Sequence, residues 1–385
     1  MNHQAITLAN WDTPPYNRHS FLNMKDYIPV TPVSRGDGPV RDFTQNLIDL
    51  DKVELTRING SAATVLDVLD TTETDGFLVL HKGEIVCEKY FNSMQPDTLH
   101  LVQSVSKSVT GTLLGIYIDR GLVDRNALVT TYLPELKSSG YAGASVNHVV
   151  NMKTGIKFEE DYTNPDAEFV FLDRAAGWKE FESDSDPRSI HDLIASLEGE
   201  RPHGEYFQYR SIDTDVLAWI CERVGGAPLA ALISTEIWSK IGAEYDASFT
   251  VDHQGTALAD GGFNATLRDL GRFGQMYLDG GMVAGQQVIN TDWVEECRRG
   301  DTDSFRVLYS EFASHYPNAA YSNQWWVVDA ERGVYSARGV FGQMIYIDPQ
   351  SETVAVKVST WPDFLDTDRA LDTYRMCAAI SAFLI

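Results

Sequence analysis

The sequence predicts an α/β fold of the α+β kind: an antiparallel sheet flanked by helices, with an all-helical lobe inserted between its strands. Three observations carry this expectation. Strand-like patterns lie toward both ends of the 385-residue chain, at residues 76–91 and 324–359. A block of helical periodicity separates them, from about 125 to 250. The most apolar helix, His100–Arg120, directly follows the first strand pair and can pack on the sheet.

Residues 1–60 carry scattered Pro, Asn and Asp with little periodicity, so they are expected to form an extended arm over the fold. Val65–Asp70 closes a short helix. Gly76–His81 and Glu84–Phe91 read as a hairpin around Lys82-Gly83, where glycine can take a positive φ. In His100–Arg120, Val102, Val105, Val109, Leu113, Ile116 and Ile118 recur at largely helical spacing, and Gly121 follows as the C-cap. Ser145–Met152 (capped by Gly155), Ser189–Leu197, Thr214–Val224 and Leu229–Trp238 are the expected helices of the lobe. Among them, 158–187 reads as a long acidic, loop-rich segment, a length usually kept for function or motion. Asn264–Asp279 and Thr291–Arg299 are further helices. Strands return at Gln324–Asp329, Gly333–Ser336, Gln343–Asp348 and Thr353–Ser359, and a final helix over about Asp368–Phe383 covers the sheet. The expected division is an arm over 1–60, an α/β lobe from 61–130 plus 255–385, and a helical lobe over 131–254. A pocket belongs at their seam.

Composition narrows the function. With 43% hydrophobic and 22% charged residues the balance is that of a globular protein. The net charge of −24, from 31 basic and 55 acidic residues, excludes the basic footprint of nucleic-acid binding. An acidic surface serves solubility, or the steering of a cationic substrate. Cys87, Cys221, Cys297 and Cys377 lie far apart with no Cys-x-x-Cys, which suggests neither a disulfide framework nor a zinc site. No basic stretch followed by an apolar run opens the chain, and no uncharged segment approaches membrane-spanning length. A cytoplasmic protein that binds no membrane is expected.

Ser104 and Lys107 sit one turn apart at the head of the apolar helix, in the sole Ser-x-x-Lys of the chain. Burial disfavours an ammonium, and a neutral lysine is a base for a serine nucleophile. So short a pattern also arises by chance, and its companions decide. Tyr209-Arg210-Ser211 enters a helix, where a tyrosine and a serine two apart can face one pocket; core packing and N-capping are the plain alternatives. Gly339-Val340-Phe341-Gly342 brackets the start of a strand, where glycine marks close approach and a backbone N–H can meet an oxyanion.

In order and spacing, these three motifs resemble those of the penicillin-recognising serine hydrolases, with their β-lactamase/DD-peptidase-like fold: class C β-lactamases and related peptidases and esterases. Glu160-Asp161-Tyr162, Asp173–Trp178, Tyr209–Trp219 and Gln324-Trp325-Trp326 are further similar to the nylon-oligomer (6-aminohexanoate linear-dimer) hydrolases, over roughly residues 75–362. The resemblance implies Ser104 as nucleophile, Lys107 and Tyr209 as proton carriers, and the amides of Ser104 and Val340 as oxyanion hole. It implies a substrate-closing tyrosine at Tyr162, an acidic partner for an amino end at Asp173, and pocket aromatics at Trp178 and Trp326. Asp260 joins the substrate-binding set. Competing accounts are a loop aromatic, a solvated charge and core packing.

The departures are informative. Tyr-Arg-Ser stands where class C lactamases carry Tyr-x-Asn, and Ala337-Arg338-Gly339 where they carry Lys-Thr-Gly, which argues against lactamase action. The literal Lys153-Thr154-Gly155 precedes Tyr209 and is set aside. Asp260, Phe341 and Arg210 replace other residues of the nylon hydrolases and bear on the substrate. The expected function is acyl-enzyme hydrolysis of linear amides or esters, 6-aminohexanoate oligomers foremost, on a small-molecule substrate with no metal or organic cofactor. A carboxylesterase is the alternative, ahead of a β-lactamase or DD-peptidase or a non-catalytic binding protein of the same fold. Relatives suggest a homodimer.

Overall fold

Seven antiparallel strands form the central sheet: β1 (Thr74–His81), β2 (Glu84–Tyr90), β3 (Ala320–Ser322), β4 (Trp325–Asp329), β5 (Val334–Gly339), β6 (Gln343–Asp348) and β7 (Thr353–Ser359). Their spatial order is β3-β4-β5-β6-β7-β1-β2, so the early hairpin closes directly onto the late meander. The computed structural model describes residues 5–161, 164 and 167–385. Lys82 (φ 52°) and Gly83 (φ 78°) make the left-handed pair of the β1–β2 turn.

Alternation along the strands feeds two cores. Leu78, Leu80, Ile345, Ile347, Val354 and Val356 join the main core. Phe77, Val79, Met344, Tyr346 and Ala355 form a second with Tyr374, Cys377 and Ile380 of the final helix. Five helices matter for the site: α1 (Val105–Asp119), α2 (Glu168–Ala175), α3 (Ser211–Gly225), α4 (Leu267–Leu278) and α5 (Thr367–Leu384). α4 covers the main face over β1, β6 and β7, while α5 contributes Tyr374, Cys377 and Ile380 to the other. α1 lies between β5 and α3, and nearly all of its residues are buried, which is why its sequence lacks a polar face.

Several expectations are corrected. The helix read from His100 begins only at Val105; His100–Leu101 is a short strand of a second, four-stranded sheet with Val30–Val33, Ala247–Thr250 and Phe263–Ala265. The N-terminal segment is therefore stitched into the fold by that strand and by the buried Trp11 and Phe21. The acidic stretch contains α2. Gly155 does not cap a helix: Met152 takes the left-handed turn (φ 48°), and Gly155 lies hard against Arg201. The Leu229–Trp238 helix becomes π-helical from Ser234, and short helices at Thr302–Arg306 and Ser310–His315 went unpredicted. All four cysteines are free and buried. Among the described residues, no single helix is long and apolar enough to cross a membrane.

Candidate active site

Ser104 precedes the first turn of α1, and the residue before it, Gln103, sits in the left-handed region at φ 50°. A non-glycine residue there is strained and must be held. The hold comes from Ser106, whose amide and hydroxyl both donate to the Gln103 carbonyl, at 2.9 and 2.6 Å.

Lys107 is buried with its ammonium in a ring of acceptors. Nζ donates to Ser104 Oγ at 2.7 Å, to the Asp260 carbonyl at 2.8 Å and to Asp260 Oδ2 at 3.3 Å. The Tyr209 ring centre lies 5.0 Å from Nζ, in the same cavity wall as Ser104. The expectation of a neutral Lys107 is corrected. Burial does push the ammonium toward losing its proton, but its acidic neighbours, Tyr209 first and then Asp260 and Glu160, push harder the other way. Burial likewise holds the Tyr209 phenol above its ordinary range, against the pull of Lys107.

Behind the lysine stands an acid that the sequence reading missed. Asp215 of α3 accepts from the Ala259 amide at 2.9 Å. Burial, then the charge of Asp260, pushes its carboxyl well above the usual range. Asp215 Oδ2 and Asp260 Oδ1 are both buried without a hydrogen-bond partner. Asp260, expected against substrate, thus holds Lys107 instead.

β5 ends against the serine. A Cβ on Gly339 would lie 2.6 Å from the Val102 carbonyl oxygen and 3.0 Å from the Ser104 nitrogen, so only glycine permits this approach. The β5–β6 ladder closes at Gly339 paired with Gln343, and Phe341 turns the chain between them at φ 60°. The Val340 amide therefore falls outside the ladder, in the cavity wall it shares with Ser104.

Ser211 does not cap its helix. Its amide and hydroxyl donate to the two oxygens of Glu160, at 2.5 and 2.6 Å, so this carboxylate covers the positive end of α3 beside Tyr209. Nothing in the run of acids around Glu160 singles it out in the sequence. Arg210 is buried on the Thr154 carbonyl and Glu200, Thr154 donates to Asp213 at 2.8 Å, and Lys153 pairs with Asp301 at 2.8 Å. The literal Lys-Thr-Gly is scaffold beneath α3.

A cavity of about 290 Å³ opens beside Ser104, walled by Tyr209, Tyr309, Trp326, Arg338 and Val340. Trp326 is the pocket aromatic expected, its ring centre 5.3 Å from that of Tyr209. Trp178 is core: it is buried, and its indole N–H donates to Thr250 at 3.0 Å. Asp173 lies on α2 outside this cavity. Burial, with the nearby charges of Asp12, Asp260 and Glu160, outweighs Lys179 and raises its carboxyl to about 8. Tyr162 lies outside the described residues. Among the described residues no three His, Cys, Asp or Glu side chains group to hold a metal ion.

The beta-lactamase family profile matches residues 67–380. The chain is 39% identical over 383 residues to the 6-aminohexanoate-dimer hydrolase of Paenarthrobacter ureafaciens, spanning 95% of this chain and 94% of that one. A solved structure from Bacillus anthracis, proposed to be a 6-aminohexanoate-dimer hydrolase, superposes with a TM-score of 0.90 at 28% identity, over 98% of this chain and 97% of the other. A family VIII carboxylesterase shares the fold, with a TM-score of 0.61 at 16% identity over 83% of this chain and 96% of that one.

Proposed function

The chain belongs to the beta-lactamase family of serine hydrolases, and we propose accordingly that it cleaves linear amides and esters through a Ser104 acyl-enzyme, with linear 6-aminohexanoate oligomers as its leading substrates. The observation that carries this reading is Lys107 Nζ at 2.7 Å from Ser104 Oγ, with the Tyr209 ring centre 5.0 Å from the same Nζ in the wall of the Ser104 cavity.

At rest the lysine is an ammonium and the tyrosine a phenol, so the reactive form is the minority that has lost one proton from this pair. Ser104 Oγ then attacks the acyl carbon while its proton enters the Lys107–Tyr209 pair. The tetrahedral oxyanion rests on the amides of Ser104 and Val340. Tyr209 returns the proton to the departing nitrogen or oxygen as the C–N or C–O bond breaks. Water attacks the remaining ester, gives its proton to the same pair, and Ser104 leaves with one. The Asp173 carboxyl, raised by burial against the pull of Lys179, supports an ammonium-bearing acyl half, because a further cation there would oppose that rise. The relative from Paenarthrobacter ureafaciens supports the same class.

The purified protein is expected to release 6-aminohexanoate from its linear dimer, and Ser104→Ala to lose at least ~1000-fold of that rate. Cleavage of p-nitrophenyl esters without cleavage of the dimer would replace this reading by a carboxylesterase for short acyl chains. The apolar walls at Leu308, Phe312 and Leu365 favour that second reading. Absence of fluorophosphonate labelling at Ser104 in folded protein would sink both.

A further inference from the structure

We propose that Arg338 is a carboxylate-binding subsite within the Ser104 cavity, so that preferred substrates carry an anionic carboxylate at the end of their departing half. The inference rests on the reading of Ser104 as nucleophile and names the substrate class more narrowly.

Arg338 is the residue of β5 just before the Gly339–Val340 edge, and it lines the cavity that Ser104 opens into. Its guanidinium carbon lies 5.3 Å from the Trp326 ring centre and 6.0 Å from that of Phe312. The charge of Arg338 is felt by Tyr374, whose hydroxyl meets Ser336 Oγ at 2.7 Å. Aromatic faces stabilise the charge of an arginine but accept few of its five N–H donors. In a chain of net charge −24, no carboxylate of the described residues forms an ion pair with Arg338. Two acids share the cavity wall, but Glu160 is engaged by Ser211 and Glu311 is exposed. A half-buried guanidinium in a cavity wall, flanked by aromatic rings and with no ion pair among the described residues, suits a planar anion in two parallel hydrogen bonds.

The path to it is continuous. Tyr209, which returns the proton to the leaving group, stacks at 5.3 Å on Trp326, and Trp326 stacks at 5.3 Å on Arg338. The guanidinium is therefore within about 11 Å of the Tyr209 ring, the two steps laid end to end. Phe312, Leu365 and Leu371 flank this route and suit methylenes. The departing half fits as an amine or alcohol on an alkyl spacer ending in carboxylate.

The test uses binding to the Ser104→Ala protein, so that it does not depend on turnover. Saturation-transfer NMR titrations with hexanoate and with hexanamide, equal in length and differing in charge, are expected to give at least tenfold tighter binding of hexanoate. Arg338→Gln should bring the two within twofold, and Arg338→Lys should keep part of the difference. Raising the salt should erode the hexanoate preference in the parent protein, which serves if Arg338→Gln fails to fold. Equal affinities in the parent, or a preference that survives in Arg338→Gln, would overturn the subsite. Failure of the hydrolase reading shows separately, as loss of labelling and turnover at Ser104.

Discussion

At rest Lys107 and Tyr209 each hold a proton, the lysine because its acidic surroundings outweigh its burial and the tyrosine because burial disfavours the phenolate. Since the reactive pair must shed one proton, kcat/KM is expected to climb from neutral toward alkaline pH. Asp260→Asn removes one of the charges that hold the proton on Lys107 while leaving an amide oxygen to accept its hydrogen bond. The alkaline limb should then move about one unit toward lower pH, read from the pH profile of ester hydrolysis. A limb that stays in place would show that Asp260 does not set it. Ser104 and Lys107 were legible because three residues of helix place them one turn apart. Asp260 meets Lys107 across 153 positions of chain, a distance at which no local pattern operates. The direction of the lysine's shift was misread for the same reason: burial can be inferred from an apolar helix, but surrounding charge cannot.

Among elements, the long strands were legible because apolar runs between turn residues specify them, as in β1, β6 and β7. The two-residue strand His100–Leu101 is too short to show any period. α2 was hidden because acidic residues around it resemble a loop, although its Leu172 and Ala175 are buried. The segment beneath α3 gives a test at this scale. A Cβ on Gly155 would sit 1.9 Å from the Arg201 carbonyl oxygen, a backbone atom that cannot swing aside. Gly155→Ala is therefore expected to cost roughly 1–3 kcal/mol or more as the loop at Arg201 is pushed away. Thermal unfolding measures it, and an unchanged midpoint would contradict the close packing. Because Thr154 bonds Asp213 within the first turn of α3, the same variant should also weaken the placement of Tyr209.

For the whole molecule, the central sheet joins residues 74–90 to residues 320–359, and Ser104, Tyr209 and Val340 converge from three separate stretches where it meets the helices. The order of strand and helix patterns foretold that closure; the four-stranded second sheet, with strands of two to four residues, was beyond it. Global stability carries its own signature in Lys357 of β7. It is buried, donates to the Thr72 carbonyl and Ser359, and burial drops its ammonium to about 7. Between about 7 and its ordinary value of 10.5 the unfolded chain binds a proton that the folded chain does not. Stability from this residue therefore rises with pH across that window, and its cost is fully present below about 7. Chemical unfolding at pH 7 and pH 9.5 should show the rise, and Lys357→Met should flatten it; an equal slope in both proteins would refute the assignment.

The four buried cysteines have a practical consequence. Burial pushes the Cys87 thiol up to about 11, and the other three also lie above their ordinary value, so almost no thiolate is available to react. The native chain is already a silent background for maleimide chemistry. A single cysteine introduced at Leu308 or Leu365, both exposed on the rim of the Ser104 cavity, would accept a fluorophore at that one position. The mouth of the cavity can then be watched in real time as substrate enters, with every natural residue of the catalytic machinery left in place.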